Sequence, residues 1–237
     1  MMITLFQFPP LFNLLNASPY CMKVEVYLKL AKIPYQVKRL VLPLRAPRGK
    51  LPFIKDSGQS IPDSSFILEH LKREYHDLDE GLSDTDKAQT VAWSRLCEEH
   101  LSWALYYVRW GMPDHWPRFR EAAFAQVPMV IRPFIGAQVR KQVLAQIKGQ
   151  GLGRLTEDEI FQRADMDIRA LSVLLGEKLF LLDTQPRSLD AVVYAFLANI
   201  LHDPFPSQLK VSVNKNPNLL AYCARMEELL DEIPEPA

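Results

Sequence analysis

The pattern of apolar and polar positions changes near residue 80. Before that point the chain alternates short β-prone segments with single amphipathic segments. Residues 3–8 predict a strand, because they are β-prone and end at a proline pair. The segment Pro19–Lys32 carries Val24, Leu28 and Ala31 at a helical spacing, and a second helix begins at Asp63 or Ser64. Further strands are predicted over 35–42, 53–55 and 59–61.

Beyond residue 80 every strong pattern has a helical period. The segment Ala191–Leu201 is apolar on nearly all sides and predicts a helix in the middle of a bundle. Between Arg118 and Lys148 we expect irregular structure, because Pro128 and Pro133 interrupt any helix. The basic side chains of that stretch predict a solvated face, with a membrane-surface or partner site as the alternative; they are Arg132, Arg140, Lys141 and Lys148.

These elements predict two domains in the order β-α-β, β-β-α and then all-α. Residues 1–78 have the layout of a thioredoxin-like domain, although periodicity alone does not exclude other small α/β folds. The acidic, turn-forming stretch 76–86 predicts a linker, and residues 86–237 predict a helical domain.

Composition excludes several classes of function. The 28 basic and 28 acidic residues balance, so overall charge indicates neither nucleic acid nor an anionic membrane as partner. Three cysteines without paired spacing do not form a disulfide framework, which favours a cytoplasmic location. No stretch reaches the ~18 apolar residues of a membrane span. The apolar N-terminus lacks an early basic residue and contains Pro9-Pro10, so we do not expect a secretion signal. No metal-binding motif is present.

The stretch NASPYCMKVE contains the first candidate for chemistry. Ser18 is a good N-cap, and Pro19 suits the first helical position. A helix N-terminus favours an anion, and a serine hydroxyl there can donate a hydrogen bond to a bound thiolate. The alternative is that Ser18 only caps the helix and Cys21 packs one turn into it.

Two further stretches are candidates for ligand binding. In GKLPFI, Pro52 either punctuates an edge strand or forms a cis peptide bond that exposes the backbone of Leu51, and we predict the cis isomer. Asp63 and Ser64 either cap the second helix or present a carboxylate, a hydroxyl and amides to a ligand with an α-amino acid end.

Jointly these stretches resemble the glutathione transferase superfamily. The resemblance covers the whole chain. Five stretches are similar to the branch that contains the metaxins and the failed-axon-connections proteins. They are SPYCMKVEVYLKLAKIPYQ, RGKLPFI, IPDSSFILEHL, YYVRWGMPDHW and SLDAVVYAFLANIL. One position departs from the superfamily pattern. Arg187 stands three residues before Asp190, where many transferases have Ser or Thr, so the cap of that helix should differ.

The resemblance implies glutathione as co-substrate. Ser18 would stabilise its thiolate, Leu51 before Pro52 would pair with the cysteinyl unit, and Asp63 and Ser64 would hold the γ-glutamyl end. Lys50 would reach the glycyl carboxylate, unless it is an ordinary solvated loop lysine. The resemblance also implies a homodimer.

The second substrate would bind between the domains. Four residues at one helix end either wall this pocket, with Arg109 attracting an anionic group, or belong to the core and its rim; they are Tyr106, Tyr107, Arg109 and Trp110. The sequence therefore predicts a transferase that joins glutathione to a small electrophile. The alternative is a non-catalytic binding or scaffold protein that retains the fold, as expected of metaxin relatives.

Overall fold

A computed structural model of the protein describes residues 2–44 and 46–233. The strands within these residues all lie before Asp63, and every regular element after it is helical. The elements are β1 (Ile3–Gln7), α1 (Pro19–Leu30), β2 (Tyr35–Arg39), β3 (Phe53–Asp56), β4 (Gln59–Pro62), α2 (Ser64–Glu74), α3 (Asp84–Arg95), α4 (Ser102–Tyr106), α5 (Trp116–Ala123), α6 (Arg132–Gln150), α7 (Glu157–Leu175), α8 (Ser188–Leu201), α9 (Gln208–Asn214) and α10 (Pro217–Asp231).

The four strands form one mixed sheet in the order β2-β1-β3-β4. β1 runs parallel to β2 and antiparallel to β3, and β3 is antiparallel to β4. The pairs Phe6–Phe53 and Phe53–Pro62 place the end of β1, the start of β3 and the end of β4 side by side. With the helices that follow, this is the predicted thioredoxin-like domain joined to a helical domain.

The helical domain is built around α8. Its residues from Ser188 to Ile200 are all buried, as expected of a helix that is apolar on nearly all sides. α8 packs directly against α1, so the two domains share a core across this helix pair. Nothing in residues 2–44 and 46–233 forms a helix both long and apolar enough to cross a membrane.

Asp190 holds the start of α8 from inside the core. Its carboxylate accepts the backbone N–H of Arg187 at 2.7 Å and that of Leu181 at 3.0 Å, and burial raises its pKa to about 6. Arg187 stands three residues before Asp190, where a Ser or Thr cap would be expected, and both Arg187 and Ser188 bond to the 76–86 stretch. The Ser188 hydroxyl donates to the buried Asp79 at 2.5 Å, and the Arg187 guanidinium donates to the Leu78 carbonyl at 2.8 Å. Both residues tie the 76–86 stretch to the helical domain.

Two expectations about helices were wrong. Residues 118–148 are not irregular, because α5 and α6 occupy most of them. Pro133 lies in the first turn of α6, where a missing N–H costs nothing, so it starts this helix rather than breaking it. The helical spacing of Phe66, Ile67, Leu71 and Tyr75 also predicts one apolar face for α2, but of these only Ile67 and Leu71 are buried, while Phe66 and Tyr75 are exposed.

One continuous helix runs from Asp84 to Gly111, but two of its segments are π-helical instead of α-helical. Residues Leu96–Leu101 and Tyr107–Gly111 are π-helical, on either side of α4. π-helical turns are rare and shift the direction in which later side chains point. The first segment carries Glu98 and the second carries Arg109, and both side chains are buried.

Candidate functional site

The site begins at the N-terminus of α1, which Ser18 caps. Its hydroxyl oxygen accepts the Cys21 N–H at 3.4 Å, and Pro19 occupies the first turn. Ser18 is half-buried, and the first turn of α1 contains no acidic residue. Its hydroxyl hydrogen can be donated to a neighbour, because a hydroxyl carries a donor besides its acceptor lone pairs. The N-terminus therefore offers a hydroxyl and the positive end of a helix dipole to an anion.

Cys21 lies beneath Ser18 and is fully buried. It packs with Leu51 and Phe53, as the sequence had indicated for this side chain. Burial raises the pKa of its thiol to about 12, although hydrogen bonds from the Phe8 backbone and Ser18 act in the opposite direction. A thiol with this pKa is a poor nucleophile at neutral pH.

The Leu51–Pro52 peptide bond is cis, as predicted. Leu51 is buried against Cys21, so this bond lies beside the first turn of α1. Lys50, one residue earlier, is exposed.

Asp63 completes the arrangement with a strained backbone. Its φ of 77° and ψ of 125° lie where residues other than glycine are uncommon. Its carboxylate accepts the Ser65 N–H at 2.9 Å, and Ser64, which begins α2, is buried. Because Phe53 pairs with Pro62, the peptide Leu51–Pro52 and Asp63 meet at one edge of the sheet. The structure thus brings the N-terminal candidates together.

Buried residues that the sequence patterns did not indicate hold the segment that carries Ser18 in place. Asn16 is fully buried; its Oδ1 accepts the Ser18 N–H at 3.0 Å and its Nδ2 donates to the Phe8 carbonyl at 2.6 Å. Asn199 of α8 donates to the Asn16 carbonyl at 3.2 Å. An asparagine within an otherwise apolar helix was the only sequence signal for this contact.

Arg109 belongs to the same support. It is 2% exposed, its Nε donates to Asp203 at 2.5 Å, and its Nη1 donates to the Ala17 carbonyl at 2.6 Å. Its Nη2 donates to the carbonyl and the side chain of Asn199. This guanidinium is therefore engaged by protein acceptors and positions the residue before Ser18, instead of facing a cleft as an anion-attracting group would.

The other three residues of the predicted second-substrate pocket point in different directions. Tyr106 is half-buried and packs edge-on against Trp103 with ring centroids 5.6 Å apart, and burial together with the nearby Cys21 raises its pKa. The Tyr107 hydroxyl donates to Glu157 at 3.1 Å, on the side of α7. Trp110 packs 5.4 Å from Trp116, inside an aromatic cluster. Of the four, Arg109 contacts the residue before Ser18, and Tyr106 lies near Cys21 of α1.

A polar cleft of about 360 Å³ lies between α2, α3 and α8. Lys23 of α1 and Glu98 form a buried ion pair at its inner end, and Arg95 donates to Glu98 at 2.8 Å. Burial lowers the pKa of Lys23, while Glu98 opposes that change. The Ser65 hydroxyl lies 3.5 Å from Lys23 Nζ and from Glu98, so this cluster adjoins the start of α2. Within the residues that the structure describes, no group of three His, Cys, Asp or Glu could hold a metal ion.

Two family models match the chain. The glutathione S-transferase N-terminal domain matches residues 19–116, and the glutathione S-transferase C-terminal domain matches residues 164–226.

Relatives extend over nearly the whole chain. The isoprene-epoxide–glutathione S-transferase of Rhodococcus sp. (strain AD45) is 33% identical, and the alignment covers 97% of this chain and 100% of that protein. Failed axon connections of Drosophila melanogaster is 30% identical, with 95% of this chain and 57% of that protein covered. Human metaxin-2 is 28% identical, with 91% and 83% covered.

Solved structures give the same fold. The β-etherase LigF of Sphingobium sp. strain SYK-6 superimposes with a TM-score of 0.66 at 16% identity, covering 98% of this chain and 100% of that chain. The glutathione S-transferase CsGST63524 of Ceriporiopsis subvermispora, solved in complex with glutathione, gives a TM-score of 0.66 at 16% identity over 100% of both chains.

Proposed function

Since the chain belongs to the glutathione transferase superfamily, we propose that it binds glutathione at the tip of α1 and transfers its thiolate to a small electrophile. The observation that carries the proposal is the convergence of Ser18, the cis Leu51–Pro52 peptide and the Asp63–Ser64 turn at one edge of the sheet. These groups match the thiol and the backbone of the cysteinyl unit of glutathione and its γ-glutamyl end.

Ser18 acts in this proposal by donating its hydroxyl hydrogen to the glutathione sulfur. A thiol with a pKa of ~8.5 is mostly protonated at neutral pH, and lowering that pKa by about 2 units makes it mostly thiolate. Such a change corresponds to about 3 kcal/mol, more than one hydroxyl supplies, so the α1 amides and dipole share it. The thiol proton leaves to solvent when glutathione binds.

The γ-glutamyl end lies at the start of α2. The Asp63 carboxylate pairs with its ammonium group, while the Ser64 hydroxyl and nearby backbone amides donate hydrogen bonds to its carboxylate. Lys50, exposed beside the cis bond, supplies a cation within reach of the glycyl carboxylate. The Ser65 hydroxyl lies 3.5 Å from both members of the buried Lys23–Glu98 pair, so this pair helps to position the start of α2.

For the electrophile we propose a small epoxide, since the Rhodococcus relative carries that chemistry in its name. The thiolate sulfur attacks one epoxide carbon and forms the C–S bond while the C–O bond breaks. The oxygen keeps the electron pair of that bond and takes the proton of Tyr106, which solvent then replaces. A tyrosine with its ordinary pKa of about 10 is already protonated at neutral pH, so Tyr106 carries the proton, and the raised pKa makes it a weaker acid than a free tyrosine.

A calorimetric titration with glutathione tests the binding step. The ultraviolet absorbance of the bound thiolate, followed against pH, tests whether Ser18 lowers the pKa of the glutathione thiol. We expect binding in the millimolar range or tighter, and a bound thiol with a pKa well below 8.5. Ser18→Ala should raise that pKa by about one unit, and conjugation of a small epoxide should slow about tenfold at neutral pH and recover at alkaline pH.

Two results would overturn the proposal. Superimposable thiolate curves for the wild type and Ser18→Ala would reduce Ser18 to a helix cap. Absence of binding at millimolar glutathione would favour a binding or scaffold protein that keeps the fold without the chemistry. Sedimentation of the purified chain tests the homodimer that we propose on family grounds.

A further inference from the structure

Apolar side chains project from the surface where α6 begins. Met129 is 78% exposed, Val130 82% and Phe134 76%, and Ile131 is exposed as well. We call these four residues the apolar tip. Single exposed apolar residues are ordinary on protein surfaces, but a contiguous group of large ones marks an interaction site.

The apolar tip is held outward by a structured turn. Val127, just before it, is buried as an anchor. The Arg132 guanidinium turns back to the protein, where it donates to Glu121 at 2.8 Å and to the Ala125 carbonyl at 2.8 Å. The turn that leads into α6 is closed by the Arg132 N–H, which donates to the Pro128 carbonyl at 3.0 Å. The polar groups of this turn thus face inward while its apolar side chains face solvent.

The sequence around and after the apolar tip is rich in basic residues, of which Arg132 is paired with Glu121 and Arg140 donates to the Trp110 carbonyl. Residues 122–156 contain five basic residues and no acidic one, although the whole chain is neutral. Lys141 and Lys148 are exposed on α6. They follow Phe134 by 7 and 14 residues, which places all three on one outward face of the helix. Residues 117–163 lie between the two matched family models.

We propose that the apolar tip and the outward face of α6 dock on an anionic lipid surface. The apolar tip enters the boundary between headgroups and acyl chains, and Lys141 and Lys148 lie over the lipid phosphates. A second copy of this chain is a poorer occupant, because it would bring the same basic face against itself. Apolar side chains that project outward can insert into a deformable lipid surface. An acidic peptide would instead bind in a groove. The protein lies on the membrane in this proposal and does not span it.

Vesicle flotation with the full-length protein tests the proposal directly. We expect binding to vesicles of phosphatidylcholine with about one-third phosphatidylglycerol, weak binding to pure phosphatidylcholine, and loss of binding as salt rises, because the attraction is screened. Val130→Ser with Phe134→Ser should lower the partition coefficient at least about tenfold, and Lys141→Glu with Lys148→Glu should do the same.

Matched controls separate this surface from general stickiness and charge. Val173→Ser removes an apolar side chain that is also 82% exposed, but on α7. Lys32→Glu with Lys215→Glu makes the same change in net charge at two other exposed lysines. Both controls should keep binding within about threefold of the wild type. Circular dichroism melting of every variant checks that the fold is retained.

A fluorescent probe reports insertion itself. The three native cysteines are buried, so a thiol-reactive environment-sensitive dye should label Met129→Cys selectively. Its emission should shift to the blue on anionic vesicles, and the same dye on Val173→Cys should not shift.

Any of three results would overturn the proposal. They are equal binding to neutral and anionic vesicles, unchanged binding of both double variants, or an unshifted probe at position 129. If sedimentation shows a wild-type dimer that Val130→Ser with Phe134→Ser dissociates, the apolar tip is a contact between two copies instead.

Discussion

The glutathione side and the electrophile side of the candidate site are built in different ways. Ser18, Leu51–Pro52 and Asp63–Ser64 are local features, each at or beside the first residue of a helix or strand. Sheet register aligns the last two, and the packing of Cys21 against Leu51 sets Ser18 beside them. The residues predicted for the electrophile side instead take their places through contacts far away along the chain. Arg109 contacts Ala17 and Asn199, and Tyr107 contacts Glu157. Local signals specify the first kind of site, and packing specifies the second.

Arg109 offers the largest test of this difference. Arg109→Met should cost about 3–5 kcal/mol of unfolding free energy, because it leaves the buried carboxylate of Asp203 without its partner. Urea unfolding measures this loss. Asp203→Asn with Arg109→Met should recover part of it, since the uncompensated charge is gone. A loss below about 1 kcal/mol would mean that the guanidinium does not hold the segment before Ser18.

The glutamyl contacts give the next largest effect. Asp63→Ala and Ser64→Ala should each weaken glutathione binding about ten- to a hundred-fold, because a hydrogen bond to a charged group contributes about 1.5–3 kcal/mol. Turnover at saturating glutathione should change much less, since these residues lie far from the sulfur. Calorimetric titration gives the affinity, and Ser57→Ala, at an exposed turn, is the control. Unchanged affinity in both variants would leave Asp63 and Ser64 as helix caps only.

Ser18→Cys tests whether position 18 is where sulfur chemistry occurs. The variant should form a mixed disulfide with oxidised glutathione, detected as a mass increase on the intact protein. A disulfide between positions 18 and 21 should form slowly at neutral pH, because burial raises the pKa of Cys21 to about 12 and little thiolate is present. Its rate should rise with pH as Cys21 ionises. A rate independent of pH would show that Cys21 is not held as a buried thiol.

The sequence predicted the sheet, the cis bond and the change to helix near residue 80, because caps, prolines and periodicity act over a few residues. It did not predict α6, because Pro133 has opposite effects in the first turn and in the interior of a helix. It also treated four neighbouring residues as one pocket wall. The π-helical winding of Tyr107–Gly111 breaks the regular helical phase, and the partners of Arg109 lie about 90 residues away on both sides.

The smallest predicted effect separates Tyr106 from its neighbour. Tyr106→Phe should lower kcat for an epoxide about tenfold or less, because it removes one proton donor to the leaving oxygen while thiolate attack remains. The affinity for glutathione should not change. Tyr107→Phe is the matched control, since its hydroxyl donates to Glu157 on the far side of the helix, and its kcat should stay within about twofold of the wild type. An electrophile that releases a stable anion needs no proton, so it should not distinguish Tyr106→Phe from the wild type. If both variants slowed epoxide conjugation equally, Tyr106 would not be the specific proton donor. The second substrate would then have to lie elsewhere between the domains.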